Sequence, residues 1–317
     1  MSSDAVGRSE VFQTHVPREP RWGKVSTTLQ FLTGNLYAMA FASVKSRLRS
    51  LAPPWLYGAY AAFRHGVSCV FSLGMRYQCP FCKWRFRRWI PTGFTAAVLK
   101  ERHVAGAGYR KNGLCPWCNS IDKERLVYLY LQNKTDLFET AGPALRLLHM
   151  APEERLGKRI RALPRVRYVS GDITPGRAMQ VVDLTKIAYP DASFDVIMCS
   201  HVLEHIPEDR KAMQELYRVL APGGYAILQV PISLTRVETW EDPTIEDPAE
   251  RERMFGQSDH VRIYGADYVT RLEGAGFSVE RWSAVQEFGE EFARRYGLNP
   301  EEDVFICRKS VRSITDR

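Results

Sequence analysis

Four of the seven cysteines form two closely spaced pairs. Cys79 and Cys82 lie in CPFC, Cys115 and Cys118 lie in CPWC, and residues 83–114 separate the pairs. A Cys-x-x-Cys turn brings two thiolates to one metal ion, and Zn²⁺ takes four such ligands in tetrahedral geometry. The spacing predicts a closed structural zinc site. An iron–sulfur cluster or a redox dithiol uses the same residue type and stays an alternative.

The residues around these cysteine pairs are mostly basic or aromatic. They are Lys83, Trp84, Arg85, Arg87, Arg88, Trp89, Arg110, Lys111 and Trp117. Residues 1–146 contain 21 Lys or Arg against 8 Asp or Glu, whereas residues 147–317 contain 23 against 28. Positive charge beside aromatic rings favours an anionic partner, which is RNA, an acidic glycan or a membrane surface. A face that docks against the rest of the chain has the same composition, and both interpretations stay open.

A further group of reactive side chains lies late in the chain. The stretch FGQSDHVRIYG gathers Gln257, Asp259, His260, Arg262 and Tyr264. Imidazole titrates near neutral pH, so His260 is a candidate general base or substrate ligand. A structural His–Asp pair that closes a lid is the alternative. His205, in VLEH, is interpreted as a structural residue.

Short apolar runs must position these groups. The predicted strands are 145–150, 166–170, 179–183, 194–199, 225–230, 277–281 and 304–308. Their almost continuous apolar character is typical of a parallel sheet that is covered on both faces. Between two of these strands, a helix that begins near Pro207 carries Met213, Leu216 and Leu220 on one face, which completes a β-α-β crossover. A second helix is predicted over 268–275.

The chain divides by composition into four parts. Residues 1–24 are predicted to be a disordered tail, 25–75 a helical segment, 76–140 a zinc-ribbon-like module with a linker helix over 122–132, and 141–317 a larger domain. The fold class of that domain is α/β, with a Rossmann-like, doubly wound and mostly parallel sheet. Neither a secretory signal nor a membrane span is apparent, and paired cysteines among unpaired ones suit a reducing compartment. We expect a cytoplasmic protein, with peripheral attachment to a membrane as the alternative.

Residues 181–231 carry a more specific pattern. They read VVDLTKIAYPDASFDVIMCSHVLEHIPEDRKAMQELYRVLAPGGYAILQVP. An acidic residue, a Pro-x-x-x-Phe-Asp strand, a V-L-E-H turn, a helix and an R-V-L-x-P-G-G strand entry follow one another. This order resembles class I S-adenosylmethionine-dependent methyltransferases of the type 11 kind, and the likeness extends over residues 144–310. The resemblance implies S-adenosylmethionine as methyl donor, bound across the carboxyl ends of the strands.

The resemblance also assigns roles to individual residues. It implies that Asp172 binds the ribose hydroxyls and that Asp183, with Leu184, binds the adenine. It places Cys199, Ser200 and His201 along the methionine part and the methyl group of the cofactor. His201 is therefore also a candidate catalytic residue. The acceptor is an oxygen or nitrogen nucleophile of a glycan, a lipid-linked sugar, a small metabolite or RNA.

Two features depart from the family pattern. The first loop normally carries three glycines that admit the cofactor, whereas this chain has His149-Met150-Ala151-Pro152-Glu153. Among these, His149, Ala151 and Glu153 are predicted to contact the cofactor. Glu153 is predicted to contact the amino group of the cofactor. The segment between Asp172 and Asp183 is too short for a crossover helix and is predicted to be a loop. A non-catalytic zinc-ribbon binding protein with a degenerate Rossmann-like scaffold is the alternative function.

Overall fold

The computed structural model describes residues 72–311 and the isolated Gly66. The described residues belong to one unit of the chain, Arg64–Arg317. The predicted tail over 1–24 and nearly all of the predicted helical segment over 25–75 lie outside the described residues. The fold described below therefore belongs to that unit.

The cysteine pairs lie in a segment of short strands. Its elements are β1 (Leu73–Gln78), β2 (Arg85–Phe86), β3 (Ile90–Thr92), α1 (Ala97–Glu101), β4 (Val104–Ala105), β5 (Arg110–Leu114) and α2 (Asp122–Lys134). Strand β1 pairs with β2, and β3 pairs with β5, both antiparallel. The buried core of this segment is small and consists of Cys79, Phe86, Trp89 and Cys115. A core of this size needs additional ties to hold its fold.

The first half of the α/β domain follows. Its elements are β6 (Leu145–Met150), α3 (Glu154–Arg161), β7 (Val166–Asp172), β8 (Gln180–Val181), β9 (Phe194–Ser200), a 3₁₀ turn (Leu203–His205), α4 (Asp209–Val219) and β10 (Leu220–Gln229). The expected crossover helix is α4, which buries Met213 and Leu216. The strand predicted over 179–183 is reduced to two residues. The segment between β7 and β8 is a loop, as its length predicts.

An insertion follows β10. It contains β11 (Ile232–Ser233), β12 (Trp240–Glu241), α5 (Pro248–Phe255) and β13 (Arg262–Ile263). Strand β11 pairs with β4, which lies between the two cysteine pairs. A separate core joins the same two regions: Val98 and Leu99 of α1 pack with Ile245, Phe255 and Ile263. The insertion and residues 90–114 thus form one shared cap.

The last elements complete the sheet. They are α6 (Tyr268–Gly274), β14 (Ser278–Trp282), α7 (Ala284–Phe288), α8 (Glu290–Tyr296) and β15 (Val304–Arg308). The seven strands run in the order β14-β15-β10-β9-β6-β7-β8, and β15 is antiparallel to both of its neighbours. The pairings from β10 to β8 are parallel. This confirms a Rossmann-like, mostly parallel α/β sheet, whose order reverses between β6 and β9.

Helix α2 belongs to the core of the α/β domain. It was predicted as a linker helix over 122–132, but its residues Leu126–Leu131 are all buried and pack with Leu147 of β6 and Ile227 of β10. Apolar residues occur on opposite sides of the helix, because one side faces the sheet and the other faces the cysteine segment. On the second side, Phe81 stacks on Tyr128 with ring centroids 4.3 Å apart. The helix joins the two regions instead of spacing them.

Candidate active site and cysteine centre

A cavity of about 580 Å³ opens at the carboxyl ends of β6, β7 and β9. Open parallel sheets bind ligands in this place, where the strand order reverses. Five predicted site residues line the cavity: Ala151, Asp172, Asp183, Leu184 and His201. The rest of its wall comes mainly from residues 173–177 and 202–208, and Asp259. Its volume lies within the range of about 300–1,000 Å³ that small-molecule sites occupy.

Two of the acidic residues of the wall, Asp172 and Asp183, are held by their own turns. Oδ1 of Asp172 accepts from the backbone N–H of Thr174 at 2.7 Å. Oδ1 of Asp183 accepts from both the N–H and the hydroxyl of Thr185, each at 2.8 Å. These bonds lower the pKa of Asp183 and keep its carboxylate charged. The local bonds thus fix both carboxylates at the ends of adjacent strands.

The first loop replaces glycine with a braced turn. Ala151 has φ of +43°, in the left-handed region, and its N–H donates to the Gly171 carbonyl at 2.8 Å. Behind it, Nε2 of the buried His149 lies 2.6 Å from the Glu153 carboxylate, and Nδ1 lies 3.1 Å from the Tyr168 hydroxyl. His149 and Glu153 therefore support the loop from below and do not line the cavity.

Burial and hydrogen bonding oppose each other at Glu153. Desolvation is the largest influence and raises the pKa of this carboxyl, but the hydrogen bond to His149 and the charge of that ring, with further hydrogen bonds, together outweigh it and lower the pKa. Because the carboxylate is engaged with His149, the structure places it away from the predicted contact with the amino group of a cofactor. Pro152 is likewise not among the residues that line the cavity.

At the end of β9, Cys199 and Ser200 are buried behind the wall, and His201 faces the cavity. His201 has φ of +58°, an unusual conformation for a residue with a side chain. Its Nδ1 lies 3.3 Å from Lys123 Nζ and 3.3 Å from the carboxylate of Glu204. Its Nε2 is buried and has no hydrogen-bond partner among the described residues. A buried nitrogen without a partner is costly, which points to a group that the site is built to meet.

Three further ionisable residues surround His201. Burial lowers the pKa of Lys123, and it raises the pKa of Glu204 to about 8 and that of Glu302 to about 7. A side chain at Gly106, between the cysteine pairs, would meet Glu302 at 3.3 Å and His201 at 3.5 Å. These residues come from α2, from the VLEH turn and from the loop before β15, so nothing local in the sequence indicates that they meet.

His260 is buried, with 2% of its surface exposed, and does not line the cavity. Its Nε2 lies 2.6 Å from the side-chain nitrogen of Gln257, and its ring meets the ring of His205 edge to face. Desolvation lowers its pKa to about 4. His205, interpreted from the sequence as structural, lies at the cavity wall with Nδ1 3.3 Å from the Asp259 carboxylate.

The four paired cysteines converge on one point. Their sulfur atoms all lie within 4.8 Å of one another, and the pairs Cys79–Cys118 and Cys82–Cys115 are 3.6 and 3.8 Å apart. Tetrahedral zinc with Zn–S bonds of about 2.3 Å requires sulfur separations of about 3.8 Å. Each pair is followed by a residue with positive φ, Lys83 at 63° and Asn119 at 58°, which closes the turn. The donor set therefore fits a tetrahedral thiolate-bound metal ion.

The predicted basic and aromatic residues separate into two groups. Lys83, Trp84, Arg85 and Arg88 are exposed, and Trp84 stacks on Trp117 with centroids 4.2 Å apart. Arg87 and Lys111 are exposed as well. Trp89 is instead part of the small core, and Arg110 pairs with the buried Asp122 at 2.8 Å. Among the described residues, no helix combines the length and the apolar character that a membrane crossing requires.

Comparison with known proteins identifies the sheet region. Residues 158–228 match the family model described as a methyltransferase domain. This part of the chain is therefore similar to a methyltransferase domain. The matched segment runs from α3 to β10 and includes both aspartates and the VLEH turn.

Curated methyltransferases are similar to part of this chain. A probable S-adenosylmethionine-dependent methyltransferase of Mycolicibacterium smegmatis is 32% identical over 117 residues, 37% of this chain and 38% of the relative. The 27-O-demethylrifamycin SV methyltransferase of Amycolatopsis mediterranei is 27% identical over 128 residues, 38% of this chain and 43% of the relative. The chain thus spans about two fifths of the length of these relatives. The solved structure of the [4+2]-cyclase SpnF aligns over 59% of this chain and 82% of its own at 18% identity, with a TM-score of 0.41.

Proposed function

We propose that this protein is an S-adenosylmethionine-dependent methyltransferase that acts on an oxygen or nitrogen nucleophile. The observation that carries the proposal is the cavity at the carboxyl ends of the parallel strands, with Asp172 and Asp183 fixed in its wall. The match of residues 158–228 to the methyltransferase-domain model supports the same class. A glycan, a lipid-linked sugar, a small metabolite and RNA are all acceptors compatible with it.

The proposed cofactor supplies an activated methyl group when it is bound. Asp172 would accept hydrogen bonds from the ribose hydroxyls, and Asp183 would accept one from the adenine amino group, with Leu184 packed on the ring. Ala151 offers the smallest side chain of the first loop to the cofactor. Its left-handed φ achieves with an alanine the close backbone approach that glycine usually provides.

His201 would position the acceptor. Its buried Nε2 has no partner among the described residues, and in the tautomer that carries its proton on Nδ1 it would accept a hydrogen bond from a hydroxyl or N–H group of the acceptor. Lys123 and Glu204 hold the other ring nitrogen and so fix the ring. Methyl transfer depends mainly on the placement of donor and acceptor, so a fixed ring at this point serves the reaction directly.

We also propose that the four cysteines bind a structural Zn²⁺. Two of them, Cys79 and Cys115, are completely buried, and four thiolates leave no coordination position open for water. The ion would hold residues 83–114, which supply β4 and α1 to the shared cap. Its expected role is to stabilise that cap.

Titration calorimetry with S-adenosylmethionine tests the proposed activity at its first step. We expect micromolar binding to the wild-type protein and a loss of at least tenfold in Asp183→Ala. The matched control is Asp242→Ala, because Asp242 makes the same two bonds, to Thr244, outside the cavity. Equal binding by both variants would contradict the assigned adenine contact. No binding by the wild type would favour the non-catalytic scaffold.

The exposed basic and aromatic face supports a further proposal, an anionic polymer as partner. Trp84, stacked on Trp117, stands among Lys83, Arg85 and Arg88. Retention of a labelled single-stranded RNA should weaken steeply with salt. It should also weaken in a Lys83→Ser/Arg85→Ser/Arg88→Ser variant. A Lys158→Ser/Arg161→Ser variant, altered on α3, serves as control, and equal retention by both variants would overturn the assignment.

A further inference from the structure

Three potential metal ligands meet at one end of the cavity, apart from the cysteine centre. A carboxylate oxygen of Glu204 and one ring nitrogen each of His205 and His260 lie within 4.8 Å of one another. Two of these residues lie in the VLEH turn, and the third lies in the insertion after β10. Two imidazoles and one carboxylate are a set that binds divalent transition metals, with positions left open for other ligands.

Glu204 gives the first independent indication of a missing partner. Its side chain is 2% exposed, and its Oε1 lies 3.3 Å from His201 Nδ1. Its Oε2 is buried and has no hydrogen-bond partner among the described residues. A buried carboxyl oxygen without a hydrogen-bond partner carries a desolvation cost, which a bond to a cation would offset.

His205 is already oriented as a metal ligand. Its Nδ1 lies 3.3 Å from the Asp259 carboxylate and 3.3 Å from the Asp259 carbonyl. Metal-binding histidines usually donate one ring N–H to a carboxylate or a carbonyl, which fixes the ring and directs the other nitrogen to the ion. Nε2 of His205 is therefore the nitrogen available for a cation.

His260 completes the set from the opposite side. A backbone hydrogen bond to Phe255 holds the ring, and Nε2 lies 2.6 Å from the side-chain nitrogen of Gln257. A cation bound at Nε2 would displace this amide. Rotation of the amide would then turn its oxygen toward the ion.

We propose that Glu204, His205 and His260 bind a divalent transition-metal cation at the wall of the cavity. The cation is reached from the cavity side, because the His205 side chain is 31% exposed and lines it, while the other two ligands are buried. In the methyl transfer proposed above, on which this orientation rests, the open coordination positions of the cation would face the acceptor. They would favour an acceptor that presents an oxygen, such as a hydroxyl or a carboxylate.

Binding of Mn²⁺, followed by electron paramagnetic resonance of the free ion, tests the site without any cofactor. Mn²⁺ prefers oxygen ligands to thiolate, so the cysteine centre does not compete for it. We expect one Mn²⁺ per full-length chain in the wild type and affinity reduced at least tenfold in Glu204→Gln. Glu302→Gln, which alters a buried carboxyl beside the cluster, should bind as the wild type does.

If Glu204→Gln does not fold, His205→Ala takes its place, since that side chain is partly exposed. Mn²⁺ affinity that is unchanged in the folded variants would overturn the proposal, as would the absence of bound Mn²⁺ at millimolar concentration. The readout is separate from that of the proposed function. If the chain binds S-adenosylmethionine but not Mn²⁺, the methyltransferase proposal stands and the cation site is ruled out. If it binds Mn²⁺ but not S-adenosylmethionine, the cation site stands and the methyltransferase proposal is ruled out.

Discussion

The central sheet and the cysteine segment are stabilised in different ways. Two large buried clusters cover the faces of the sheet, with completely buried side chains such as Leu147 and Ile197 on its strands. The core around the cysteines consists of four buried side chains, and two of these are cysteines. The sheet is held by apolar burial, whereas the segment depends on a few specific bonds.

Arg125 of α2 provides many of those specific bonds. Its guanidinium is fully buried and donates to the carbonyls of Tyr296 and Gly297 in the sheet domain, both at 2.9 Å. It also donates to carbonyls of the cysteine segment, including Asn112, and lies 3.9 Å from the centre of the Trp89 ring. One side chain thus joins the two regions. The cysteine segment, which has the smaller core, is therefore positioned by polar contacts with the sheet domain.

The largest predicted effect is loss of the thiolate site. Cys115→Ser, or treatment with a zinc chelator, should unfold residues 83–114 while the sheet stays folded, because structural zinc contributes on the order of 10 kcal/mol in small domains. Limited proteolysis should then cut within that segment. Cys307→Ala, which alters a buried cysteine of β15, is the control. Resistance of residues 83–114 to protease after metal removal would show that the segment needs no metal.

The next effect concerns the junction. Arg125→Met removes a buried donor and leaves several carbonyls unpaired, so we expect the free energy of unfolding to fall by about 3 kcal/mol. Urea denaturation measures this change. Arg88→Met alters an exposed arginine of the same segment and should change the unfolding free energy by less than about 0.5 kcal/mol. If the unfolding free energy changed by a similar amount in the two variants, Arg125 would not be what joins the two regions.

The smallest effect lies where α2 meets α3. Glu124 accepts from the N–H of Leu156 at 2.6 Å, and burial raises its pKa to about 7 from an ordinary value of 4.5. A raised pKa stabilises the folded state below about pH 4.5, and this contribution is lost as the pH rises through about 7. Glu124→Gln keeps the acceptor oxygen and removes the titration.

Relative to the wild type, the unfolding free energy of Glu124→Gln should therefore increase from pH 5 to pH 8 by up to about 2 kcal/mol. Denaturation curves at several pH values give this difference. Glu154→Gln, at an exposed position on α3, should show no such trend. A flat difference for Glu124→Gln would mean that the carboxyl is not desolvated as the structure indicates.

The sequence predicts the sheet better than it predicts the cap. Continuous apolar runs identify β6 and β9, and the helical spacing of Met213 and Leu216 identifies α4, because burial alone decides these elements. The cap is made of two-residue strands such as β4 and β11, whose pairing depends on distant segments. No local pattern in the sequence records such a pairing.

The candidate site divides in the same way. Asp172 ends a strand, and Asp183 and His201 come within two residues after one, so their place at the carboxyl edge follows from the order of elements. The neighbours of His201 cannot be predicted from that order, because Lys123 and Glu302 come from remote parts of the chain. The braced turn of His149 and Glu153 was also beyond prediction, because it depends on the side-chain contact with Tyr168.

We propose above that the cavity after β6, β7 and β9 binds S-adenosylmethionine. Amide hydrogen exchange with and without this compound measures that binding at each part of the cavity wall. We expect protection of the backbone amides of residues 151, 153, 172–174, 183–185 and 201–206, with little change in residues 94–109 of the cysteine segment. No protection at saturating S-adenosylmethionine, or protection confined to residues 94–109, would contradict the claim.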